Sequence, residues 1–559
     1  MIENLSNELF YEIFDYLNGL DIYRSFYQLN HRFNELLIQS SILYKIKLSS
    51  DSTLDLFQST SVLDSKISSL SCSHDVPVNK IFINRSFPNL QSIHLKEISE
   101  FNLSISLFYF KSLPCLRSLK ICLDYFTSDL GDLYQIIFQF PHLKHLSMDI
   151  NDNADDDPII TMIQATQNQY SSIEHLKINH YIDISQLTIL LSYTPRLSRL
   201  CCLNIIESND EIEQNISRTL VNLVELSISF CELKFDQFTK FLVQFCSNLK
   251  SIHFTAYAED KDYLNAIRWE QLISKNLTCL DQFHFHYTEL YYDDFEVTAK
   301  HELLKGFASP FWKERQWSLS LSVIEYEIIY RITPLKYSFI LKFLRYFILI
   351  FFYLHRKSSF STHHRYHLMN DWTPLSIWHS VLAKKDQRFM TNFSQLIKTL
   401  GITFLNIDCS RVSPMTLLNL FNCVQNLHSI RISSLPLKTK LLKANLDQWN
   451  LFIENNKIIY VTLPNVSDLK RFDLILEFFP LMKHLTLNID SPDDFEEAVQ
   501  SVLSKLKKRK NHNINSICFI VAEIENDKIP QLEKLIDSKK LVKNFTFTRE
   551  YENFYLKFK

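Results

Sequence analysis

The stretch Phe87-Pro88-Asn89-Leu90-Gln91-Ser92-Ile93-His94-Leu95 decides the fold, because its apolar spacing returns along most of the chain. Leu90, Ile93 and Leu95 stand at i, i+3 and i+5. The same spacing recurs at Leu116/Leu119/Ile121, Leu143/Leu146/Met148, Ile173/Leu176/Ile178, Leu197/Leu200/Cys202, Leu223/Leu226/Ile228, Leu249/Ile252/Phe254 and Leu280/Phe283/Phe285, at intervals of 26, 27, 30, 24, 26, 26 and 31 residues. Positions i+3 and i+5 are two residues apart, so in a strand they point to one face. The intervening sequence changes period: Phe235, Phe238, Phe241, Leu242 and Phe245 follow helical steps. The phrase resumes at Ile402/Leu405/Ile407, Leu427/Ile430/Ile432, Ile458/Val461/Leu463, Met482/Leu485/Leu487, Ile514/Ile517/Phe519 and Val542/Phe545/Phe547. Chance recurrence of common apolar residues is the alternative, and eight consecutive matches at near-constant spacing argue against it.

A phrase of this length and pattern resembles the leucine-rich repeat, in which a short strand presents i+3 and i+5 inward and the remainder returns as a helix. The resemblance implies a strand-helix solenoid with parallel strands. One departure is systematic. The family places asparagine eight residues after the first leucine, and here those slots read Ile98, Asp124, Asn151, Tyr181, Ile205 and Cys231, of which only Asp124, Asn151 and Cys231 are plausible substitutes. The coil is therefore expected to be irregular.

Ahead of the repeats, Leu9, Phe10, Ile13, Phe14 and Leu17 recur at three- and four-residue steps, which paints a stripe on a helix. Ser6 is placed to cap it, and Asn18-Gly19 to end it. Asp21 then reads as the cap of a second helix bearing Ile22, Phe26 and Leu29, and Asn30 as the cap of a third bearing Phe33, Leu36 and Leu37. So small a unit needs a partner or a neighbouring domain for stability.

The blocks Leu5-Ser6-Asn7-Glu8-Leu9, Ile13-Phe14-Asp15-Tyr16-Leu17, Asp21-Ile22 and His31-Arg32-Phe33-Asn34-Glu35-Leu36 resemble, in order and spacing, the F-box family. Ser6 stands where that family usually has proline, and Phe33 where it has tryptophan, which keeps an aromatic plug but removes the indole N–H. The resemblance implies that Leu5, Leu9, Ile13, Phe14, Leu17, Asp21 and Phe33 contact the Skp adaptor of a ubiquitin ligase or support the surface that does. An ordinary helical cap on the downstream domain is the alternative, although a cap has no reason to reproduce the order of the blocks.

The expected class is therefore α/β, a three-helix F-box followed by an irregular leucine-rich-repeat-like solenoid. The F-box is expected at 1–45, a linker or connecting helices at 46–80, repeats at 81–300, an irregular insertion or atypical repeats at 301–395, and repeats again at 396–559.

Composition sets limits on the chemistry. With 46% hydrophobic and 22% charged residues the chain is that of a folded protein. A net charge of -3, from 59 basic and 62 acidic residues, gives no global field for nucleic acid or an anionic membrane. Four isolated glycines, Gly19, Gly131, Gly306 and Gly401, cannot build a glycine-rich phosphate loop. Eleven scattered cysteines without a CxxC read as reduced thiols, and adjacent Cys201 and Cys202 would point to opposite faces of one strand. Acidic Glu3 near the start leaves no secretory signal, which implies cytosol or nucleus and unused sequons at Asn84 and Asn276.

Between Leu280 and Ile402 the period fails. Tyr337 to Leu354 is rich in Phe, Ile, Leu and Tyr, but Lys342 and Arg345 leave only nine uninterrupted apolar residues, short of the 18 or so that span a bilayer. A buried helix or strand pair is the better reading, with translated non-coding sequence a third. His363 and His367 have helical ligand spacing but no acidic or thiol partner at a matching offset. Asp152 and Asp155-Asp156-Asp157 lack the glycine and glutamate of a calcium loop. Lys507-Lys508-Arg509-Lys510 reads as an exposed helix end, and no GxSxG or HExxH occurs.

The expected function is substrate recognition in an SCF-type (Skp-cullin-F-box) ubiquitin ligase, non-enzymatic and without a cofactor. The first helices would hold the Skp adaptor and, through it, a cullin, while the repeats hold an unidentified target protein. The alternative is a repeat scaffold that acts independently of ubiquitin.

Overall fold

A computed structural model describes residues 5–38, 43–49, 51–58, 61–73, 76–82, 85–124, 129–150, 159–208, 220–256, 260–290, 303–304, 306–324, 327–334, 374–377, 402–408, 414–433, 446–463, 472–489, 491, 494–508, 513–521, 528–542, 545–550 and 553–558. The chain is mixed α/β, built on parallel-rich sheet. It divides into two compact units, the first comprising residues 1–260 and 271–282, the second 261–270 and 283–559.

In the first unit, helices α1 (Asn7–Tyr16), α2 (Gly19–Phe26) and α3 (His31–Ile38) lead directly into strand β1 (Tyr44–Leu48). Eight further strands follow in chain order: β2 (Ile67–Cys72), β3 (Ser92–Ile98), β4 (Ser118–Leu123), β5 (His145–Ile150), β6 (His175–Asp183), β7 (Arg199–Ile206), β8 (Glu225–Cys231) and β9 (Ser251–Ala256). Each pairs in parallel with the next.

The register shows why the phrase repeats. Its i+3 residues form one buried row across the sheet, Leu70–Ile93–Leu119–Leu146–Leu176–Leu200–Leu226–Ile252, and its i+5 residues a second, Cys72–Leu95–Ile121–Met148–Ile178–Cys202–Ile228–Phe254. Alternation within each strand then leaves the intervening residues on the open face. Strand entry is equally regular. The carbonyl of Gln91 accepts from both Arg117 and Ser118, that of Arg117 from Lys144 and His145, that of Lys144 from Glu174 and His175, and so on to Val224 with Lys250 and Ser251, at 2.7–3.2 Å.

The returning helices begin where short polar side chains stand. Ser99 accepts from the backbone N–H of Asn102 ahead of α4 (Glu100–Lys111), and Asp129 from that of Gly131 ahead of α5 (Leu130–Phe138). Asp183 closes a capping box with Gln186 at the start of α6 (Ile184–Ser192). Helix α7 (Phe235–Phe245) buries all five apolar residues that set its helical period.

Two expectations require correction in this unit. Residues 46–80, expected as a linker or connecting helices, do hold the short helices Asp51–Gln58 and Val78–Phe82, but β1 and β2 also carry Ile46/Leu48 and Leu70/Cys72 into the two buried rows, so the sheet begins two strands before Leu90 and the expected boundary at residue 45 falls inside β1. The asparagine slots are filled differently, since Ile98, Ile205 and Cys231 are themselves buried in register with the next strand. The strands run on through those positions, with register shifts after Leu95, Ile178 and Ile228, and no side-chain amide is needed below them. Cys201 and Cys202 do lie on opposite faces, Cys202 buried.

In the second unit, β10 (Gln282–Leu290) pairs antiparallel with β12 (Glu327–Pro334), and β12 with β11 (Trp317–Ile324). Rings of Trp269, Phe283, Trp312 and Trp317 pack together beside this hairpin, with Trp269 5.1 Å and Trp312 5.9 Å from Phe283. Here the repeat period gives way to antiparallel pairing, with β12 between β10 and β11. Parallel pairing returns through β13 (Pro374–Ile377), β14 (Phe404–Asp408), β15 (Ser429–Ser433), β16 (Tyr460–Leu463), β17 (His484–Ile489) and β18 (Ser516–Val521). Leu405, Ile430, Val461, Leu485 and Ile517 form its buried i+3 row.

The phrase at Val542 is the exception. Its strand, β19 (Phe545–Glu550), forms an antiparallel hairpin with β20 (Asn553–Phe558), and β20 rather than β19 pairs with β18. The stretch 337–354, the histidines at 355–367 and the aspartates at 152–157 lie outside the described residues. Among the described residues no helix is long and apolar enough to cross a membrane, and no group of three His, Cys, Asp or Glu could hold a metal ion.

Candidate docking surface

Helix α1 carries apolar residues over most of its circumference, and the fold divides them between two neighbouring faces. Phe10 and Phe14, four residues apart, turn inward and pack with Phe26 and Phe33. Ring centroids are 5.0 Å apart for Phe10–Phe33 and Phe26–Phe33, and 5.2 Å for Phe14–Phe26. Leu9, Ile13, Tyr16 and Leu17, at i, i+4, i+7 and i+8, share the adjoining face and remain at least 38% exposed, with Tyr16 at 91%. A polar outer surface would be ordinary for such a helix. This one is apolar.

Arg32 holds the N-terminal end of that face in place. Its guanidinium donates to Asn7 Oδ1 at 2.7 and 3.1 Å and to the Leu5 carbonyl, and lies 5.5 Å from the Phe10 ring centre. The His31-Arg32-Phe33 block therefore has a local role: Arg32 ties α3 to the start of α1, while Phe33 plugs the core. His31 points out, beside Glu35 at 3.6 Å.

The other side of the module rests on β1. Gly19 approaches so closely that an added Cβ would stand 2.6 Å from Ile46 Cδ1 and 3.0 Å from Tyr44 Cβ. The Asn18 side chain accepts from the Lys47 backbone N–H at 2.9 Å and donates to the Lys47 carbonyl at 3.3 Å, and the Tyr44 hydroxyl donates to the Leu37 carbonyl. A three-helix unit too small to stand alone thus gains its stability from the first strand.

The residues expected to form the site fall into two groups. Leu9, Ile13 and Leu17 lie on the exposed face, with Leu5 half-buried at its start and Asp21 exposed. Phe14 and Phe33 are interior and support the face from behind. Tyr16 was not singled out by sequence, although its place seven residues after Leu9 was the available signal. Asp21 does not cap α2: Asn18 occupies the cap position and Asp21 follows in the first turn. Leu29 lies beyond the end of α2 and is exposed. Asn30 does cap α3, accepting from the Phe33 N–H at 3.0 Å. Ser6 sits at the cap position of α1 without a side-chain capping bond. Glu8 is held below the usual carboxylate range by its own backbone N–H and by the Ser6 hydroxyl.

A second arrangement with chemical potential lies within the repeats. His180 is buried, its Nδ1–H donating to the Tyr181 carbonyl at 2.7 Å and its Nε2 accepting from the Tyr134 hydroxyl at 2.8 Å. Burial lowers the His180 pKa to about 4 and raises that of Tyr134. Both ring nitrogens are spent on internal bonds, so the pair joins β6 to α5 as a structural element.

A scan against models of protein families finds no match to this chain, and neither does a search of curated proteins.

Proposed function

We propose that the chain is a non-catalytic substrate-recognition subunit of an SCF-type ubiquitin ligase, in which α1–α3 form an F-box that binds the Skp adaptor and the repeats, a leucine-rich-repeat-like solenoid, hold a target protein. One observation carries the proposal: the module that closes the sheet at β1 has an outer face made of Leu9, Ile13, Tyr16 and Leu17. The end unit of a repeat array normally turns a polar surface outward. Here an apolar patch stands exposed beside Glu8, Glu12 and Asp15, is backed by the aromatic core of Phe10, Phe14, Phe26 and Phe33, and includes Leu9, Ile13 and Leu17, which the F-box resemblance assigns to adaptor contact.

The magnitudes say what else is needed. Leu9, Ile13 and Leu17 are already more than half-buried, so covering the remainder contributes about 1 kcal/mol each, and covering Tyr16 about 2 kcal/mol. A total near 5 kcal/mol falls within the roughly 4–15 kcal/mol that association costs. The complex must therefore bury further surface of the three helices, with α1 as its centre. Bound in this way, the chain would contribute proximity, bringing a target to the conjugating enzyme.

The test is a pull-down of the full chain on immobilised Skp adaptor, comparing the native sequence with Leu9→Asp combined with Ile13→Asp. Both positions are open enough to accept carboxylates without unfolding. Loss of retention with an unchanged circular dichroism spectrum is expected. Undiminished retention would sink the receptor reading and leave the ubiquitin-independent scaffold.

A further inference from the structure

The open face of β1–β9 carries a charge pattern that neither the repeat phrase nor the net charge announces. Across the sheet one outward row reads Lys47–Ser71–His94–Lys120–Ser147–Lys177–Cys201–Ser227–His253. The row beside it reads Lys45–Ser69–Ser92–Ser118–His145–His175–Arg199–Glu225–Ser251. The two rows together hold five cations and a single carboxylate, Glu225, which is already paired with Arg199 at 3.0 Å. Lys45, Lys47, Lys120 and Lys177 are exposed and have no ion-pair partner among the described residues.

We infer that this face docks an acidic, extended segment of a partner protein, with its carboxylates meeting Lys47, Lys120 and Lys177. The inference deepens the target-binding reading of the repeats and rests on it. Small side chains, chiefly serine, separate the lysines, so a backbone can approach the sheet while the long lysine side chains reach it from either side. Neighbouring strands stand about 4.8 Å apart, which puts Lys120 and Lys177, two strands apart, about 10 Å from one another, and Lys47 about 14 Å from Lys120. An extended chain crossing the strands advances about 3.3 Å per residue and meets these cations at intervals of three to four residues.

His94 and His175 act as neutral spacers. Burial together with Lys120 and Lys96 keeps His94 below the usual histidine range, and burial together with His145 and Arg199 does the same for His175. Three further carboxylates stand beside the rows: Asp149 on β5, next to Cys122, the exposed Glu97 at the β3 bulge, and Glu174 at the entry to β6, which is paired with Lys144.

Nucleic acid fits less well. Its phosphates are far denser than lysines spaced about 10–14 Å apart, the two rows contain no Phe, Tyr or Trp, and the rings of His145 and His175 already pack edge-on against each other at 4.4 Å. Nor is there a free arginine to fork onto a phosphate, because Arg199 is engaged by Glu225. The second unit lacks the pattern: its corresponding row, Asn406–Arg431–Thr462–Thr486–Cys518, holds one cation, and Thr462 within it is buried.

The experiment uses the full chain without adaptor, so its result is independent of the F-box. Fluorescence anisotropy is read with a labelled twelve-residue peptide carrying glutamate at positions 2, 6 and 9 among serines and threonines, and with its glutamine counterpart. Binding of the glutamate peptide is expected to be at least tenfold tighter than that of the glutamine peptide and to weaken with salt. It should fall at least tenfold in the variant Lys47→Glu, Lys120→Glu, Lys177→Glu. The charge-matched variant Lys111→Glu, Lys234→Glu, Lys240→Glu, on the helices and their entries, should retain it. Equal loss in both variants, equal binding of both peptides, or no binding overturns the inference. Tighter binding of a fifteen-nucleotide single strand, lost in the first variant, reassigns the face to nucleic acid and overturns it too. The variant Leu9→Asp with Ile13→Asp should bind the peptide normally, which separates failure here from failure of the adaptor reading.

Discussion

Lowering the pH from 7 to 5 should loosen the middle of the first unit, and His180 sets the size of the effect. Its imidazole is buried and fully bonded in the neutral form, with a pKa lowered from 6.5 to about 4 by burial. Below pH 6.5 the unfolded chain takes up a proton that the folded one refuses, so the unfolded state binds more protons and stability falls as pH falls. The contribution is nearly intact at pH 7, lost progressively through pH 6 and 5, and exhausted near pH 4. The full difference corresponds to about 3 kcal/mol, of which about 2 kcal/mol is lost between pH 7 and pH 5. The perturbation to compare is His180→Gln, which keeps an amide near the Tyr134 hydroxyl but cannot titrate. Urea-dependent hydrogen exchange of peptides covering β5–β7 would report the local opening free energy of both proteins at the two pH values. Wild type should lose about 2 kcal/mol more than the variant over that range. Identical pH dependence in the two proteins would refute the reasoning, because every other titrating group is shared.

Three further outcomes follow from packing. Gly19→Val places side-chain atoms where Ile46 and Tyr44 already stand and should cost about 1–3 kcal/mol, read as a lower thermal midpoint together with faster exchange in α2 and β1. Arg85 forks onto Asp64, donates to the Phe57 carbonyl and covers the Phe57 ring at 4.1 Å, with both charged side chains largely buried. Arg85→Ala strands the Asp64 carboxylate and should cost about 3–5 kcal/mol in urea denaturation, whereas Arg85→Ala with Asp64→Ala should recover part of the loss. Leu70→Asp should destabilise the first unit by more than about 3 kcal/mol if β2 belongs to the sheet, and have little effect if residues 46–80 were a linker.

How much was legible in the sequence depends on whether a signal is local. The i, i+3, i+5 spacing was enough to identify the two buried rows, because it is the period of a strand and each match stands on its own. The same spacing is present at Leu43/Ile46/Leu48 and Ile67/Leu70/Cys72, but the serines between Ser49 and Ser73, among them Ser68, Ser69 and Ser71 within the second match, made that stretch read as a linker or connecting helix. Serine there is simply the small side chain of the open face. At Val542 the spacing correctly marked a strand and could not say which neighbour it would pair with or in which direction, since pairing is set by distant β18 and β20. On α1 the apolar stripe was plain, yet it spanned both faces. Only packing against Phe26 and Phe33 shows that Phe10 and Phe14 turn in while Leu9, Ile13, Tyr16 and Leu17 turn out. The lysine rows were invisible for the same reason: Lys47, Lys120 and Lys177 are far apart in the chain and become neighbours only through the register.

The central claim is that the outer face of α1 is where this chain attaches to a ubiquitin-ligase adaptor, and calorimetric titration of purified Skp adaptor into the full chain tests it most directly. Tyr16 is the informative position, because at 91% exposure it contributes nothing to the core and its replacement leaves folding untouched. The account predicts saturable one-to-one binding by the native chain, weakened at least tenfold by Tyr16→Asp with no change in thermal midpoint. Absence of binding by the native chain, or equal affinity of the two proteins, would contradict it.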